Sequence, residues 1–116
     1  MRTAFRKAEA ISRIELAKHL LRTAGLPHQA DELSDEQPVY EMEDGRMGSF
    51  SFAPFQEAGR PAAMATYTDD DEVDVHVTLY VGENGWPTEV ELWKVNFEGL
   101  VSFPSPNQVT DVRAVD

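Results

Sequence analysis

Apolar and polar residues alternate in the first part of the chain with the period of an amphipathic helix. Apolar side chains recur there every three or four positions, at Ala10, Ile14, Ala17, Leu21 and Ala24. A helix places such positions on one face, so we predict a helix from Ala4 to Ala24 with Thr3 as its N-cap. Gly25 followed by Pro27 ends it, because glycine accepts the left-handed conformation and proline cannot continue a helix.

The period changes to two after residue 38, which is the spacing of strands with one buried face. Residues 26–38 hold few large apolar side chains and predict a loop with one short helical turn. The clearest strand is Val73 to Val81, where valine and leucine alternate with polar residues over nine positions. Further strands are predicted at 39–42, 48–52, 64–68 and 88–93. Turns rich in glycine, asparagine or aspartate separate them, so we expect successive antiparallel hairpins.

The chain after the last hairpin has apolar anchors between Phe97 and Phe103 and then two prolines. We expect residues 105–116 to form a frayed tail and residues 1–104 to form a single domain. One helix followed by hairpins buries itself most simply in two layers. The predicted class is therefore α+β, with the N-terminal amphipathic helix packed on a meander-like antiparallel sheet of about five strands.

Composition adds limits on chemistry and location. None of the 116 residues is cysteine, which excludes disulfides and thiolate chemistry and fits a reducing compartment. The hydrophobic fraction of 41% and the charged fraction of 27% are typical of one globular domain. The sequence has no apolar run of the length of a membrane span or a signal core, so we expect a cytoplasmic protein.

Charge is distributed unevenly along the chain, whose formal net charge is −11. Residues 1–25 carry six basic and two acidic residues, and the rest of the chain carries four basic and nineteen acidic ones. A body this acidic repels phosphate groups and anionic lipids, so we expect neither nucleic acid nor a membrane as partner. It attracts cations instead, and we predict a basic protein partner.

The densest group of carboxylates is the predicted turn Asp69-Asp70-Asp71-Glu72, with Asp74 just beyond it. We interpret this group as a solvated hairpin tip, because aspartate favours turns and charge protects strand ends from aggregation. Contact with a basic partner is the alternative. The spaced ligands and the glycine of a calcium-binding loop are missing, so we expect neither a metal nor a cofactor here.

A second group is predicted on the polar face of the sheet, where His76, Glu89 and Glu91 meet across neighbouring strands. A histidine beside two carboxylates could act in acid–base chemistry, but the chain has no nucleophile elbow and no phosphate loop, so we do not expect an enzyme. Trp93 interrupts the alternation of its strand, which favours a core position over an interface anchor. The predicted partner-binding residues are Asp70, Asp71, Asp74, His76, Glu89, Glu91 and Trp93.

Three segments together resemble a small uncharacterised bacterial family. They are MEDGRMGSF at residues 42–50, the acidic turn, and ELWKVNF at residues 91–97. In that family a DGxMGS segment precedes an aspartate-rich turn, a strand and an E-x-W-K-V-[DN]-F ending, after an N-terminal helix. The resemblance spans residues 5–104 and implies the same organisation and a bacterial source, but it assigns no catalytic residue. Asn96 stands where aspartate is usual.

Three functional classes follow from these observations. The first is a non-enzymatic protein-binding domain, similar in size and charge to immunity proteins that inhibit cationic toxins. The second is a small-molecule-binding domain or small enzyme with a pocket between helix and sheet near His76 and Trp93. The third is a structural subunit that pairs its sheet edge in a homodimer.

Overall fold

Two helices occupy the N-terminal part of the chain and six strands follow. In the computed structural model, which describes residues 2–115, α1 spans Lys7–Thr23 and α2 spans Pro27–Glu32. The strands are β1 (Tyr40–Glu41), β2 (Phe50–Ser51), β3 (Arg60–Thr68), β4 (Asp74–Val81), β5 (Pro87–Lys94) and β6 (Thr110–Ala114). Met1 and Asp116, the ends of the expected domain and tail, lie outside the described residues.

The strands form one sheet in the order β1-β2-β5-β4-β3-β6, and every neighbouring pair is antiparallel. Strands β3, β4 and β5 follow one another as a meander in its centre. The predicted α+β class is therefore confirmed: an N-terminal helix packs on a largely meandering antiparallel sheet in two layers, with six strands where about five were expected.

Helix α1 packs on the sheet through the apolar stripe that its sequence predicts. Its buried residues are Ala10, Ile14, Leu16, Ala17, Leu20 and Leu21. The helix begins later than expected, since Arg6 and not Thr3 occupies the N-cap. Its end agrees with the prediction, because Gly25 has a φ of +79°, a conformation that costs glycine little. The short helical turn expected after it is α2, with Pro27 in the first turn.

Strand β4 shows how the period of two divides the sheet into two faces. Val75, Val77, Leu79 and Val81 are fully buried, and they form the core together with α1. The residues between them point to the opposite side of the sheet. We call that side the outer face, and its central part consists of Asp74, His76, Thr78 and Tyr80 of β4 and Glu89, Glu91 and Trp93 of β5.

The expectation of a frayed C-terminal tail is wrong for most of its residues. Pro106–Gln108 form a 3₁₀ turn and Thr110–Ala114 form β6, which pairs with β3 at the edge of the sheet. Val109, just before β6, is buried in the core. The strand was missed because its polar side chains are mostly exposed and give no clear alternation.

Candidate functional site

The register of β4 against β5 brings most of the predicted site residues together on the outer face. His76 lies opposite Trp93, Thr78 opposite Glu91, and Tyr80 opposite Glu89. Residues opposite each other in antiparallel strands have side chains on the same face and in contact range. His76, Glu89 and Glu91 therefore lie on one face of the sheet, as predicted, and Trp93 lies on the same face.

Three rings form an aromatic cluster at one end of the outer face. The rings of His76 and Trp93 lie 5.5 Å apart with an angle of 30° between their planes. The ring of Phe97, just after β5, meets Trp93 edge-on at 5.8 Å. Trp93 is 41% exposed and Phe97 is 68% exposed, so large apolar surfaces face solvent. We call His76, Trp93 and Phe97 the aromatic cluster.

The preferred core position for Trp93 is wrong. Val90 and Leu92 point into the core, so a strand with a period of two must turn residue 93 outward and residue 94 inward. The alternation is in fact unbroken, and the unexpected residue at an inward position is Lys94. Phe97, which the sequence indicated as an apolar anchor, is likewise on the surface.

Carboxylates surround the remainder of the outer face. Burial, followed by the charges of Glu91 and Glu89, raises the pKa of Tyr80, which lies opposite Glu89 and diagonally across from Glu91. Glu89 also accepts a hydrogen bond from Gln56. Asp74 is exposed at the end of β4 and accepts a hydrogen bond from Thr68. Within residues 2–115 none of these three carboxylates forms an ion pair, so their charges remain available to a partner.

Lys94 lies on the opposite face, with its side chain fully buried, and it connects three segments. Its Nζ donates to Asp69 Oδ2 at 2.8 Å, to Asp71 Oδ2 at 2.6 Å and to the carbonyl of Gly99 at 3.1 Å. Burial alone lowers the pKa of Lys94, but the bonds to both carboxylates outweigh burial and raise it. All three ammonium hydrogens are used, so Lys94 is a structural cation with no free donor.

Asp69 is the buried partner of Lys94. Its position shows that the interpretation of the acidic turn as a solvated tip is wrong for this residue. Its side chain is fully buried. Besides Lys94, it accepts hydrogen bonds from the backbone N–H groups of Asp70, Val101 and Ser102. Burial pushes the pKa of Asp69 up, but these four donors hold it down, at about 2. The turn thus binds the chain segment that follows β5.

The other predicted residues of the turn behave differently from one another. Asp71 is partly exposed and pairs with Lys94, which it shares with Asp69, so the group of three side chains keeps one net negative charge. Asp70 is exposed, and no ion pair involves it within the described residues. The predicted partner-binding residues therefore fall into three groups. Asp74, His76, Glu89, Glu91 and Trp93 lie on the outer face, Asp70 is exposed at the turn, and Asp71 is bonded to the buried Lys94.

The predicted position of a pocket between helix and sheet near His76 and Trp93 is also wrong, because both rings lie on the side of the sheet away from α1. Within residues 2–115, no group of three or more histidine, aspartate or glutamate side chains is placed to hold a metal ion. No described helix is both long and apolar enough to cross a membrane.

These features define a class: a two-layer α+β domain with an open, carboxylate-rich sheet face and an internal lysine–aspartate pair. The chain belongs to the family described as a domain of unknown function, DUF6984, whose model matches residues 7–104. That match covers all three segments on which the resemblance to an uncharacterised family rested. The chain matches no curated protein and no solved structure.

Proposed function

We propose that this domain is a non-enzymatic protein-binding module that docks a basic protein on its outer face. The observation that carries the proposal is the exposed aromatic cluster beside unpaired carboxylates on a rigid central part of the sheet. These side chains are available to a partner without rearrangement of the fold, because all of them except Phe97 project from paired strands.

The aromatic cluster supplies the apolar centre of such an interface. Tryptophan is enriched among the residues that dominate binding energy, and it is most effective where surrounding contacts exclude water. The ring of Trp93 is held between His76 and Phe97, which restricts its rotamers before binding. Restricting a side chain in advance lowers the entropy cost of docking.

The carboxylates determine which partner fits. Glu89 and Glu91 lie along the strand that carries Trp93, and Asp74 begins β4 at the same end of the sheet as the aromatic cluster. The whole chain adds a net charge of −11. Lysine and arginine side chains on a partner would complement this face, and the attraction would mainly raise the association rate and decrease with salt.

An immunity-like inhibitor of a cationic toxin is one particular form of this proposal. The outer face would then cover a basic cleft on the toxin that normally holds an anionic substrate, and inhibition would arise by occlusion. Acidity and size support this form, and the identity of the partner would distinguish it from other protein-binding roles.

Affinity capture from the source cells at 50 and 500 mM NaCl, followed by binding measurements with the purified partner, tests the proposal. We expect a basic protein whose Kd rises at least about tenfold with Trp93→Ala and again with Glu89→Gln/Glu91→Gln. Trp86→Ala and Glu83→Gln are the matched controls, since both residues are exposed in the β4–β5 turn away from the cluster.

Two results would contradict the proposal. One is that neither salt concentration yields a basic partner. The other is a partner whose affinity the outer-face variants leave at the level of the controls. For the inhibitory form, the purified domain must also suppress the activity of its partner, and Trp93→Ala must relieve that suppression.

A further inference from the structure

A cleft of about 410 Å³ opens at the other side of the molecule from the outer face. Its walls come from the start of α1, from the β1–β2 hairpin and from residues 100–103. None of the outer-face residues lines it. Its volume lies within the range of pockets that hold small organic molecules.

The guanidinium group of Arg13 is the central polar group of this cleft. Its Cζ lies 4.6 Å from the ring centre of Phe5 and 4.0 Å from that of Phe103. Both aromatic contacts favour a cation, and they fix the plane of the guanidinium group. Burial lowers the pKa of Arg13, against the opposing charges of Glu9 and Glu41. Arginine nonetheless stays charged at neutral pH.

One edge of this guanidinium group has no acceptor in the described part of the chain. Nη1 donates to the hydroxyl of Ser12 at 3.0 Å and to the carbonyl of Glu9 at 3.4 Å. Nε is buried without a hydrogen-bond partner, and Nη2 donates to no group within residues 2–115. The N–H groups of Nε and Nη2 point in the same direction and match the two oxygens of a carboxylate.

The charges around this edge restrict the ligand further. The wall holds equal numbers of carboxylates and guanidinium groups, namely those of Glu9, Glu41 and Asp44 and those of Arg6, Arg13 and Arg46. Glu9 and Glu41 are exposed, and both act on Arg13 electrostatically. The net charge of −11 disfavours a simple anion, and a wall that carries both signs favours a ligand that carries both. A molecule that also carries a positive charge would pair with both kinds of group.

We propose that the cleft binds a small zwitterion with an apolar body, of the class of the apolar α-amino acids. Its carboxylate accepts a hydrogen bond from Nη2 of Arg13 and, once the side chains around the buried Nε shift, a second one from Nε. Its ammonium group faces Glu9 and Glu41. Its apolar body lies against Phe5, Phe103 and Leu100, which also line the cleft. Occupation satisfies the buried Nε–H donor, whose isolation is otherwise unfavourable.

NMR titration of the full-length ¹⁵N-labelled protein with L-phenylalanine tests this inference. We expect shifts in the Arg13 Nε–H signal and in the amides of residues 100–103. The analogues 3-phenylpropionate and 2-phenylethylamine each lack one charged group and should bind at least about tenfold more weakly. Arg13→Lys keeps the charge but loses the paired donors, and Glu41→Gln removes an exposed carboxylate; both should weaken binding of L-phenylalanine.

Arg22→Lys is the matched control, since Arg22 is an exposed arginine of the same helix that pairs with Asp31. Its affinity for L-phenylalanine should equal that of the wild type. The inference is overturned if L-phenylalanine causes no shift at millimolar concentration, if 3-phenylpropionate binds as tightly, or if Glu41→Gln and Arg13→Lys both bind like the control. The Glu41→Gln arm stays informative even if Arg13→Lys disturbs the fold.

Discussion

At the scale of single residues, the pair of Lys94 and Asp69 is the most demanding feature of the molecule. Both side chains are fully buried, and a buried charge is tolerated only when it is paired and hydrogen-bonded. The two partners are not equivalent. Without Lys94, Asp69 would keep its three backbone donors. Without Asp69, Lys94 would keep Asp71 and the carbonyl of Gly99, but the N–H groups of Asp70, Val101 and Ser102 would lose this acceptor.

We therefore predict an asymmetry between two substitutions. Asp69→Ala breaks a buried pair and leaves donors without an acceptor, and it should lower the free energy of unfolding by about 3–5 kcal/mol. Lys94→Met fills a similar volume and leaves Asp69 hydrogen-bonded, so its loss should be clearly smaller. Urea denaturation of both variants measures the difference. Equal losses would contradict the asymmetry, and a larger loss for Lys94→Met would show that the lysine is the dominant partner.

At the scale of secondary-structure elements, β6 is the feature that the sequence did not reveal. It covers the edge of β3, and Val109 beside it belongs to the core. Without β6, the longest strand of the sheet would expose a row of unpaired backbone groups, which is a template for aggregation. The C-terminal segment is thus part of the domain's stability.

Deleting residues 105–116 should consequently destabilise the domain. The loss of Val109 burial alone corresponds to about 2 kcal/mol, and the exposed β3 edge should promote self-association. Denaturation and analytical ultracentrifugation measure the two effects. Arg113→Ala, an exposed change within β6, should alter the unfolding free energy by no more than about 0.5 kcal/mol. A truncated chain as stable and monomeric as the full one would refute this role of β6.

The elements also show how far sequence patterns can predict this structure. The alternation of Val75, Val77, Leu79 and Val81 was sufficient to predict β4, since every position obeys the period of two. The same period of two holds in β5. The hydrophobic side chain of Trp93 nevertheless suggested that it points inward, and the charge of Lys94 suggested that it points outward, whereas the structure shows the reverse. The phase set by Val90 and Leu92, together with acidic residues in the preceding turn, was the available signal for a buried lysine.

The candidate sites were predictable to different degrees for a physical reason. His76, Glu89 and Glu91 share a face because hairpin register follows from local turns, which the sequence specifies. The Arg13 cleft joins the start of α1 to residues 100–103, and such a long-range contact has no signature in sequence spacing. The buried position of Asp69 depends on the same late segment, and so it was not foreseeable from the turn alone.

At the scale of the whole molecule, charge is arranged by layer. The basic residues of the first 25 positions lie mostly on or near α1, where Lys7 pairs with Glu36 and Arg22 pairs with Asp31. On the other side of the sheet, Asp74, Glu89 and Glu91 of the outer face form no ion pair with any residue from 2 to 115. Such exposed pairs contribute little to stability. The ionic contribution to folding is therefore concentrated in the buried pair.

Acid should weaken the folded state in a defined pH window. The ordinary pKa of an aspartate, 3.8, falls to about 2 for Asp69 in the folded protein. A carboxyl with a lowered pKa stabilises the fold above its unfolded pKa, and this contribution is lost as pH falls from about 4 through about 2. The corresponding loss is about 2 kcal/mol.

Urea denaturation of the wild type and of Asp69→Asn between pH 5 and pH 2 measures this contribution. The difference in unfolding free energy between the two proteins should shrink as the pH falls through that window. Glu36→Gln, in an exposed pair, should show the same slope as the wild type. A carboxyl ¹³C titration of Asp69 with a midpoint near 4 would contradict the prediction independently of whether Asp69→Asn folds.

Trp93 and Lys94 are adjacent in β5, yet they serve opposite sides of the sheet. Lys94 holds the carbonyl of Gly99, and the next residue, Leu100, forms part of the wall around Arg13. The peptide unit between Trp93 and Lys94, the ammonium group of Lys94 and Gly99 therefore connect the indole to that wall. Where both surfaces are occupied, thermodynamic reciprocity requires that each ligand change the other's affinity by the same factor.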